Sequence, residues 1–210
     1  GSISITLREL FTRMHVEFDH SLPADVLQVN GAADDKMLPR IADCLDRVVG
    51  ADRPCARIAS TCNFPIAAGL ASSASAFAAV TVAAARAAGS VLDVDTLATL
   101  AGRASGSAAR SLFGGFVELQ NLEDDIRCRT IARADDWPLS VVVAITEKGP
   151  KAVGSTEAME ISRQTSPFYS CWVEQQAHDL DTARTAIAAR DFEKLAAIAE
   201  HHCLKMHSIM

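Results

Sequence analysis

The segment from Ser72 to Ala88 constrains the fold most, because it predicts a long helix built mainly from small residues. Gly89 follows directly and is well suited to end a helix. Alanine side chains let such a helix approach neighbouring backbone closely, since the distance between packed elements depends on the side chains at the contact. The rest of the chain is therefore expected to pack tightly around this helix.

Short strands surround it in the sequence. Alternation of polar and apolar residues predicts strands at 2–7, 14–18 and 25–31, and residues 56–61 are predicted to form a further short strand. A helix is predicted between them, with Pro39 in its first turn and Gly50 at its end. Its apolar residues share one face: Ile41, Leu45, Val48 and Val49.

Downstream, the pattern predicts a helix over 95–105 capped by Asp93 or Asp95, and a hairpin over 116–119 and 127–132. An apolar strand at 140–146 is followed by helices over 166–189 and from Asp191 to the end, the last with Phe192, Leu195, Ile198 and Ala199 facing inward. This order predicts an α+β protein in two lobes. The charged stretch at 134–138 marks the seam, giving an N-terminal lobe of 1–137 and a C-terminal lobe of 138–210.

Composition excludes several classes of protein. The 210 residues are 49% hydrophobic, which is enough for a substantial core, and their net charge of −6 argues against nucleic acid or an anionic membrane as a partner. No apolar run is long enough for a membrane span, and the first residues lack the pattern of a signal peptide. Six scattered cysteines favour buried thiols in a reducing cytoplasm.

Two adjacent hydroxyls stand at the start of the alanine-rich helix. Gly69 permits close backbone approach, and the amides of residues 70–73 then lie at a helix N-terminus, where unpaired N–H groups and the helix dipole favour a phosphate. The hydroxyls of Ser72 and Ser73 can bond phosphate oxygens or a magnesium-bound water. The alternative is an ordinary N-cap serine on a buried helix.

A second predicted helix start carries an arginine. Ser105 and Ser107 flank Gly106, and a helix beginning at Gly106 would place Arg110 one turn along, near the same end. Two hydroxyls and a bidentate guanidinium suit a carboxylate or a diphosphate. The alternative is a capped helix with a surface arginine.

Two further segments are more ambiguous. The loop at 148–156 carries two lysines, Ser155 and Thr156, and is either a ligand loop or a solvated basic turn before a capped helix. Residues 201–207 hold three histidines and Cys203, but no two histidines are four residues apart, so no metal site is predicted there. Cys62 has no visible base beside it and is predicted to be a buried thiol.

The pattern Pro-x-x-x-Gly-Leu-x-Ser-Ser-Ala, at residues 65–74, resembles the phosphate-binding motif of the GHMP kinase superfamily. Three segments, 63–80, 105–119 and 154–167, resemble the diphosphomevalonate decarboxylase family within it. The resemblance covers essentially the whole chain. It implies a two-lobed GHMP kinase fold, with an N-terminal lobe like domain 2 of ribosomal protein S5 and an α/β-sandwich C-terminal lobe, incomplete at both ends.

The resemblance also implies an activity: decarboxylation of mevalonate 5-diphosphate to isopentenyl diphosphate, with ATP and Mg²⁺, in a cytoplasmic homodimer. It assigns the nucleotide to Ala68, Gly69, Leu70, Ala71, Ser72 and Ser73. It assigns the substrate to Ser105, Gly106, Ser107, Arg110, Ser155 and Thr156. Arg110 and Ser73 receive catalytic roles, and no side chain is assigned as a metal ligand.

The chain also departs from the family. Family members carry an upstream lysine-tyrosine segment and a downstream aspartate that orients or deprotonates the 3-hydroxyl, and neither occurs in these 210 residues. We therefore expect the chain to be a fragment that is inactive alone. Two other functions stay open: a GHMP kinase that phosphorylates a mevalonate derivative without decarboxylation, and a non-catalytic domain of the same fold.

Overall fold

The computed structural model describes residues 1–66, 69–123, 125–144 and 154–210, without the side chains of Ser155 and Thr156. In this part of the chain the strands are β1 (Ser2–Ile5), β2 (Thr12–Phe18), β3 (Val26–Val29), β4 (Ala32–Ala33), β5 (Ala56–Cys62), β6 (Phe116–Asn121) and β7 (Ile126–Ala132). The α-helices are α1 (Leu38–Val49), α2 (Ser72–Ala87), α3 (Val94–Ala104), α4 (Ser155–Thr165), α5 (Tyr169–Ala189) and α6 (Phe192–Ser208), and a 3₁₀ helix spans Ala108–Leu112.

The described strands form two sheets. One has the order β2-β5-β3-β4, in which β5 pairs antiparallel with β2 and parallel with β3. A parallel pair needs a crossover connection, and α1 lies within the segment that joins β3 to β5. The other sheet has the order β1-β6-β7 and is antiparallel throughout. The mixed α+β class predicted from the sequence is confirmed.

Helix α2 lies at the centre of the larger core, as its small residues predict. Ala74, Phe77, Val80 and Ala84 are buried there against residues of α1 and of the four-stranded sheet. Thr81 is fully buried within the helix, and its hydroxyl donates to the carbonyl of Phe77 at 2.8 Å, so burial leaves that group with a partner. The close packing fixes the N-terminal end of α2.

An ion cluster around the buried Glu118 joins the three-stranded sheet to α5. Glu118, on β6, is 0% exposed, and its carboxylate accepts a hydrogen bond of 2.9 Å from Nε of Arg129, on β7. Nε of Arg184, on α5, donates to the other carboxylate oxygen at 2.8 Å. Charge pairing therefore contributes to the contact between α5 and the sheet.

Several local predictions hold. Pro39 lies in the first turn of α1 and Gly50 follows its last residue. Asp93 caps α3 by accepting from the amide of Thr96, and Asp191 caps α6 by accepting from the amide of Lys194. The hairpin of β6 and β7 forms as expected.

Three predictions are wrong in part. Residues 140–144 form no strand, because no described strand pairs with them, and Val142 is 93% exposed. The helix expected from Gly106 is instead the short 3₁₀ helix that begins at Ala108. On α6, Phe192 and Ala199 are exposed, since only one side of the helix meets α5.

In the described part of the chain, no helix combines the length and apolar character that crossing a membrane requires. All six cysteines are free thiols, but the expectation that they are buried is wrong in part: Cys44 and Cys128 are buried, whereas Cys171 and Cys203 are exposed.

Candidate functional site

The glycine-serine segment connects β5 to α2. Strand β5 ends at Cys62, whose amide donates to Oδ1 of Asn30 at 2.9 Å, so the strand enters the loop in a fixed position. Gly69 has φ +86°, in the left-handed region that glycine enters without steric cost. Ala68, predicted to contact the nucleotide, lies outside the described residues.

The N-terminus of α2 has an unusual cap. Its N-cap residue is Ala71, in the left-handed conformation with φ 56°, and it makes no side-chain cap hydrogen bond. The simple N-cap serine interpretation is therefore wrong, because Ser72 and Ser73 lie inside the first helical turn. A non-glycine residue at positive φ costs free energy, and such residues cluster at ligand sites. The start of α2 therefore combines a strained backbone conformation at Ala71 with the hydroxyls of Ser72 and Ser73 in the first turn.

The second motif is divided between two elements. Ser105 follows α3 as its C-cap residue in an extended conformation, and Gly106 is exposed. Ser107 is the N-cap residue of the 3₁₀ helix that carries Arg110. The guanidinium of Arg110 donates from Nη1 to Oγ of Ser2, on β1, and burial lowers the pKa of Arg110.

One cavity of about 1100 Å³ brings the two motifs together. Gly69, Leu70 and Ala71 line it on one side, and Ser107 and Arg110 line it as well. Ser72, Ser73, Ser105 and Gly106 lie next to these residues in the chain but are outside the lining. The structure therefore brings both predicted motifs to the same space, through their backbone turns and Arg110.

The charge of the cavity is opposite to that of the whole chain. Its described lining includes His15 and four arginines, namely Arg8, Arg13, Arg86 and Arg110, and it includes no aspartate or glutamate. The chain as a whole has a net charge of −6. A cleft lined by one sign of charge concentrates ligands of the opposite sign, so this cavity favours anions.

The remaining predicted site residues are less informative. Lys148 and Lys151 lie outside the described residues, and α4 begins at Ser155, followed by Thr156. The histidines of 201–207 lie on α6, where His202 contacts Gln176 of α5 through Nε2 at 3.1 Å. Cys62 is half-buried, and its thiol donates to the carbonyl of Phe64 at 3.3 Å.

Sequence reasoning missed Asn63, which connects two walls of the cavity. Its Oδ1 accepts from the amide of Phe11 at 2.8 Å, and its Nδ2 donates to the carbonyl of Glu9 at 2.7 Å. Its own amide donates to the carbonyl of Phe11 at 3.3 Å. Asn63 thereby ties the loop between β1 and β2 to the segment that leads into Gly69. The partners are about fifty positions apart, so no local pattern signals the contact.

We expect Asn63→Ala to release the β1–β2 loop. The variant loses two side-chain hydrogen bonds at an exposed site, which should lower stability by about 1 kcal/mol, or the melting temperature by about 2–4 °C. Hydrogen exchange at the Phe11 amide should become faster. Asn121→Ala, at the exposed end of β6, is the control and should leave exchange at Phe11 unchanged. If hydrogen exchange at the Phe11 amide is unchanged in Asn63→Ala, Asn63 does not hold the β1–β2 loop in place.

The fold and cavity define an α+β domain of the GHMP kinase type, with a glycine loop at the N-terminus of a buried helix and a cavity beside it that favours anions. A family model described as diphosphomevalonate decarboxylase-like N-terminal domain matches residues 1–130, and one described as mevalonate 5-diphosphate decarboxylase C-terminal domain matches 141–210. The chain belongs to the diphosphomevalonate decarboxylase family.

Individual relatives agree with the family models. The chain is 34% identical to human diphosphomevalonate decarboxylase over 99% of its own length, and 33% identical to the Candida albicans enzyme over 100%. It spans only 57% and 64% of those two proteins.

Solved structures show the same relationship. Mevalonate diphosphate decarboxylase from Staphylococcus aureus superposes with a TM-score of 0.86 at 32% identity, and a protein designated MDDEF, in complex with MVAPP, AMPPCP and magnesium, superposes with a TM-score of 0.87 at 31% identity. Each comparison covers 99% of this chain and 65% of the other, which confirms the fold for the part that the chain contains.

Proposed function

We propose that this chain carries the nucleotide and substrate pockets of an ATP-dependent decarboxylase that converts mevalonate 5-diphosphate to isopentenyl diphosphate. The observation that supports this most is one cavity that reaches both the glycine loop and Arg110 and whose described lining contains no aspartate or glutamate. Two anionic ligands must meet in this reaction, and their combined charge requires a positive site. The family relationship, and the ligands in the MDDEF complex, support the same substrates.

At the glycine loop, the backbone would hold the phosphates of ATP. The positive end of the α2 dipole favours negative charge there, and Ala71 offers no side-chain oxygen that would compete for the first-turn amides. Magnesium would enter with the phosphates, and the hydroxyls of Ser72 and Ser73 would bond phosphate oxygens or a magnesium-bound water. Residues 67–68 of the loop lie outside the described part, so the cradle is argued from Gly69 onward.

At the opposite side, Arg110 would orient the carboxylate of the substrate. A guanidinium presents paired N–H donors that match the two oxygens of a carboxylate, and Ser107 adds a hydroxyl beside it. Ser105 would help to align the same carboxylate and Gly106 would contact the substrate, whereas we assign Ser155 and Thr156 to the diphosphate-bearing side of the pocket. That assignment depends on the family resemblance.

The family resemblance implies the chemistry. The tertiary 3-hydroxyl is a poor leaving group, so ATP phosphorylates it: the O–H bond breaks and its proton passes to solvent as the new O–P bond forms, and ADP is released. The C3–O bond then breaks and phosphate departs, leaving positive character at C3. The bond to the carboxylate breaks as carbon dioxide leaves, and its electron pair forms the alkene. The protein contributes position and charge stabilisation, as in other phosphoryl transfers.

Calorimetric titration of the 210-residue chain tests the proposal. With magnesium present, we expect binding of AMPPCP, and we expect mevalonate 5-diphosphate to bind more tightly than mevalonate 5-phosphate, because the positive cavity rewards the added charge. The proposal would be overturned if the chain failed to bind AMPPCP, and equally if it failed to bind mevalonate 5-diphosphate. Wherever turnover is detected, labelled carbon dioxide should appear in step with ADP, and ADP without carbon dioxide would indicate a kinase.

We further propose that the protein acts in the cytoplasm as a homodimer. Six free thiols support a reducing compartment. The dimer rests on the family resemblance, and light scattering coupled to size-exclusion chromatography would give its mass directly.

A further inference from the structure

Arg110 differs from the other partly buried arginines in the kind of partner it has. Arg53 pairs with Asp25 at 2.7 Å, and Arg184 pairs with the buried Glu118. Within the described ranges, no carboxylate pairs with Arg110, and its guanidinium donates to the neutral hydroxyl of Ser2. The charge of Arg110 is therefore oriented but not neutralised.

Ser2 lies on an element that can hold this hydroxyl in place. It is the first residue of β1, which pairs antiparallel with β6 in a register that sets Ser2 opposite Leu119. Arg110, in contrast, lies on a 3₁₀ helix of five residues and has a long side chain with many rotamers. Fixing such a side chain costs conformational entropy. Because the hydrogen bond to Ser2 already restricts the rotamers of Arg110, less entropy is lost when a ligand binds.

We propose that Ser2 is a positioning residue for the anionic substrate: its hydroxyl holds the guanidinium of Arg110 towards the cavity while leaving its positive charge for the ligand. This rests on the proposed function, in which Arg110 binds the substrate carboxylate. A carboxylate in place of Ser2 would orient Arg110 equally well, but it would form an ion pair that competes with the substrate. Neutrality of the acceptor is thus as important as its position.

Three substitutions separate orientation from charge. Ser2→Thr keeps a hydroxyl, Ser2→Ala removes the acceptor, and Ser2→Asp supplies a charged acceptor. Ser21→Ala is the matched control, because it also deletes one serine hydroxyl bond, to Asp19, in an exposed turn outside the cavity lining. Each variant of the 210-residue chain is titrated with mevalonate 5-diphosphate and, separately, with magnesium and AMPPCP, and its melting temperature is measured.

We expect Ser2→Ala to bind mevalonate 5-diphosphate about tenfold more weakly, as for loss of a hydrogen bond to a charged group. Ser2→Thr should restore affinity to within about twofold, as expected when the charge-assisted bond is kept. Ser2→Asp should bind more weakly than Ser2→Ala although its melting temperature is not lower. Affinity for AMPPCP should stay unchanged in all three variants, and Ser21→Ala should match the unsubstituted chain with both ligands.

The opposite results would overturn the assignment. If Ser2 only supports the fold, Ser2→Asp should bind like the unsubstituted chain, and Ser2→Ala should lose affinity for both ligands together with melting temperature. If Ser2→Ala binds normally while Arg110→Ala does not, the role of Ser2 is wrong but the proposed function stands. If the unsubstituted chain binds no mevalonate 5-diphosphate, the proposed function itself fails, and the role of Ser2 fails with it.

Discussion

Replacing Arg110 with alanine is expected to weaken binding of mevalonate 5-diphosphate by about 100-fold, or about 2.7 kcal/mol. Arg110 lines the cavity and has no carboxylate partner in the described chain, so its charge is available to the substrate. Removing it leaves the substrate carboxylate without its bidentate donor in a partly buried site. Calorimetric titration of the 210-residue chain measures the loss directly.

The controls for this variant test charge and specificity separately. Arg110→Lys keeps the charge but loses the planar pair of donors, so an intermediate loss of about tenfold is expected. Arg103→Ala removes an exposed arginine from the last turn of α3, outside the cavity lining, and should bind normally. Affinity for magnesium and AMPPCP should hold in Arg110→Ala. Equal weakening of both ligands would mean that Arg110 supports the fold and not the substrate.

Much of the fold could be predicted from the sequence, because its determinants are local. Cap residues act within three positions of the amides they accept from, as at Asp93 and Asp191. The small residues of α2 predict a buried helix, since they present no bulk that would keep neighbouring elements apart. Residues of β5 alternate between buried and exposed as a strand requires, but their polarity does not predict every position, since Ser60 is buried and Ala59 is exposed.

The features that were predicted wrongly or not at all share a different cause, since each depends on partners that are distant in sequence. A strand needs a second strand, and the apolar pattern of 140–144 carries no information about whether one is present. The contact between Arg110 and Ser2 joins residues more than one hundred positions apart in the sequence. The contact between Asn63 and Phe11, in the β1–β2 loop, joins residues about fifty positions apart. The sequence motif located the candidate site, but the side chains that orient it became visible only in the structure.

Glu118→Gln is expected to lower the free energy of unfolding by about 2 kcal/mol, because the fully buried residue loses the charge that pairs with the partly buried Arg184 and the exposed Arg129. For a chain of this length the melting temperature should fall by about 4–8 °C. Since Arg184 lies on α5, amides of α5 should also exchange faster in the variant. Differential scanning calorimetry and hydrogen exchange measure the two effects.

The pH dependence of this loss follows from the charge on Glu118. Burial alone would raise the pKa of Glu118, but hydrogen bonds from Arg184 and Arg129 outweigh burial and hold that pKa below its ordinary value. A lowered carboxyl pKa stabilises the folded state fully above the unfolded value of about 4.3, and the stabilisation is lost as the pH falls through the folded pKa. The difference in melting temperature between the unsubstituted chain and Glu118→Gln should thus be largest near neutral pH and shrink in acid.

Glu160 provides the matched control for both effects. It too pairs with an arginine, Arg163, whose hydrogen bonds together with one from Gln164 lower the pKa of Glu160 to about 2, but both partners of the ion pair are exposed on α4. Water and salt screen such a pair, so Glu160→Gln should leave the melting temperature essentially unchanged despite the lowered pKa. If Glu160→Gln and Glu118→Gln destabilise equally, burial does not set the strength of the Glu118 cluster, and its role in holding α5 to the sheet is wrong.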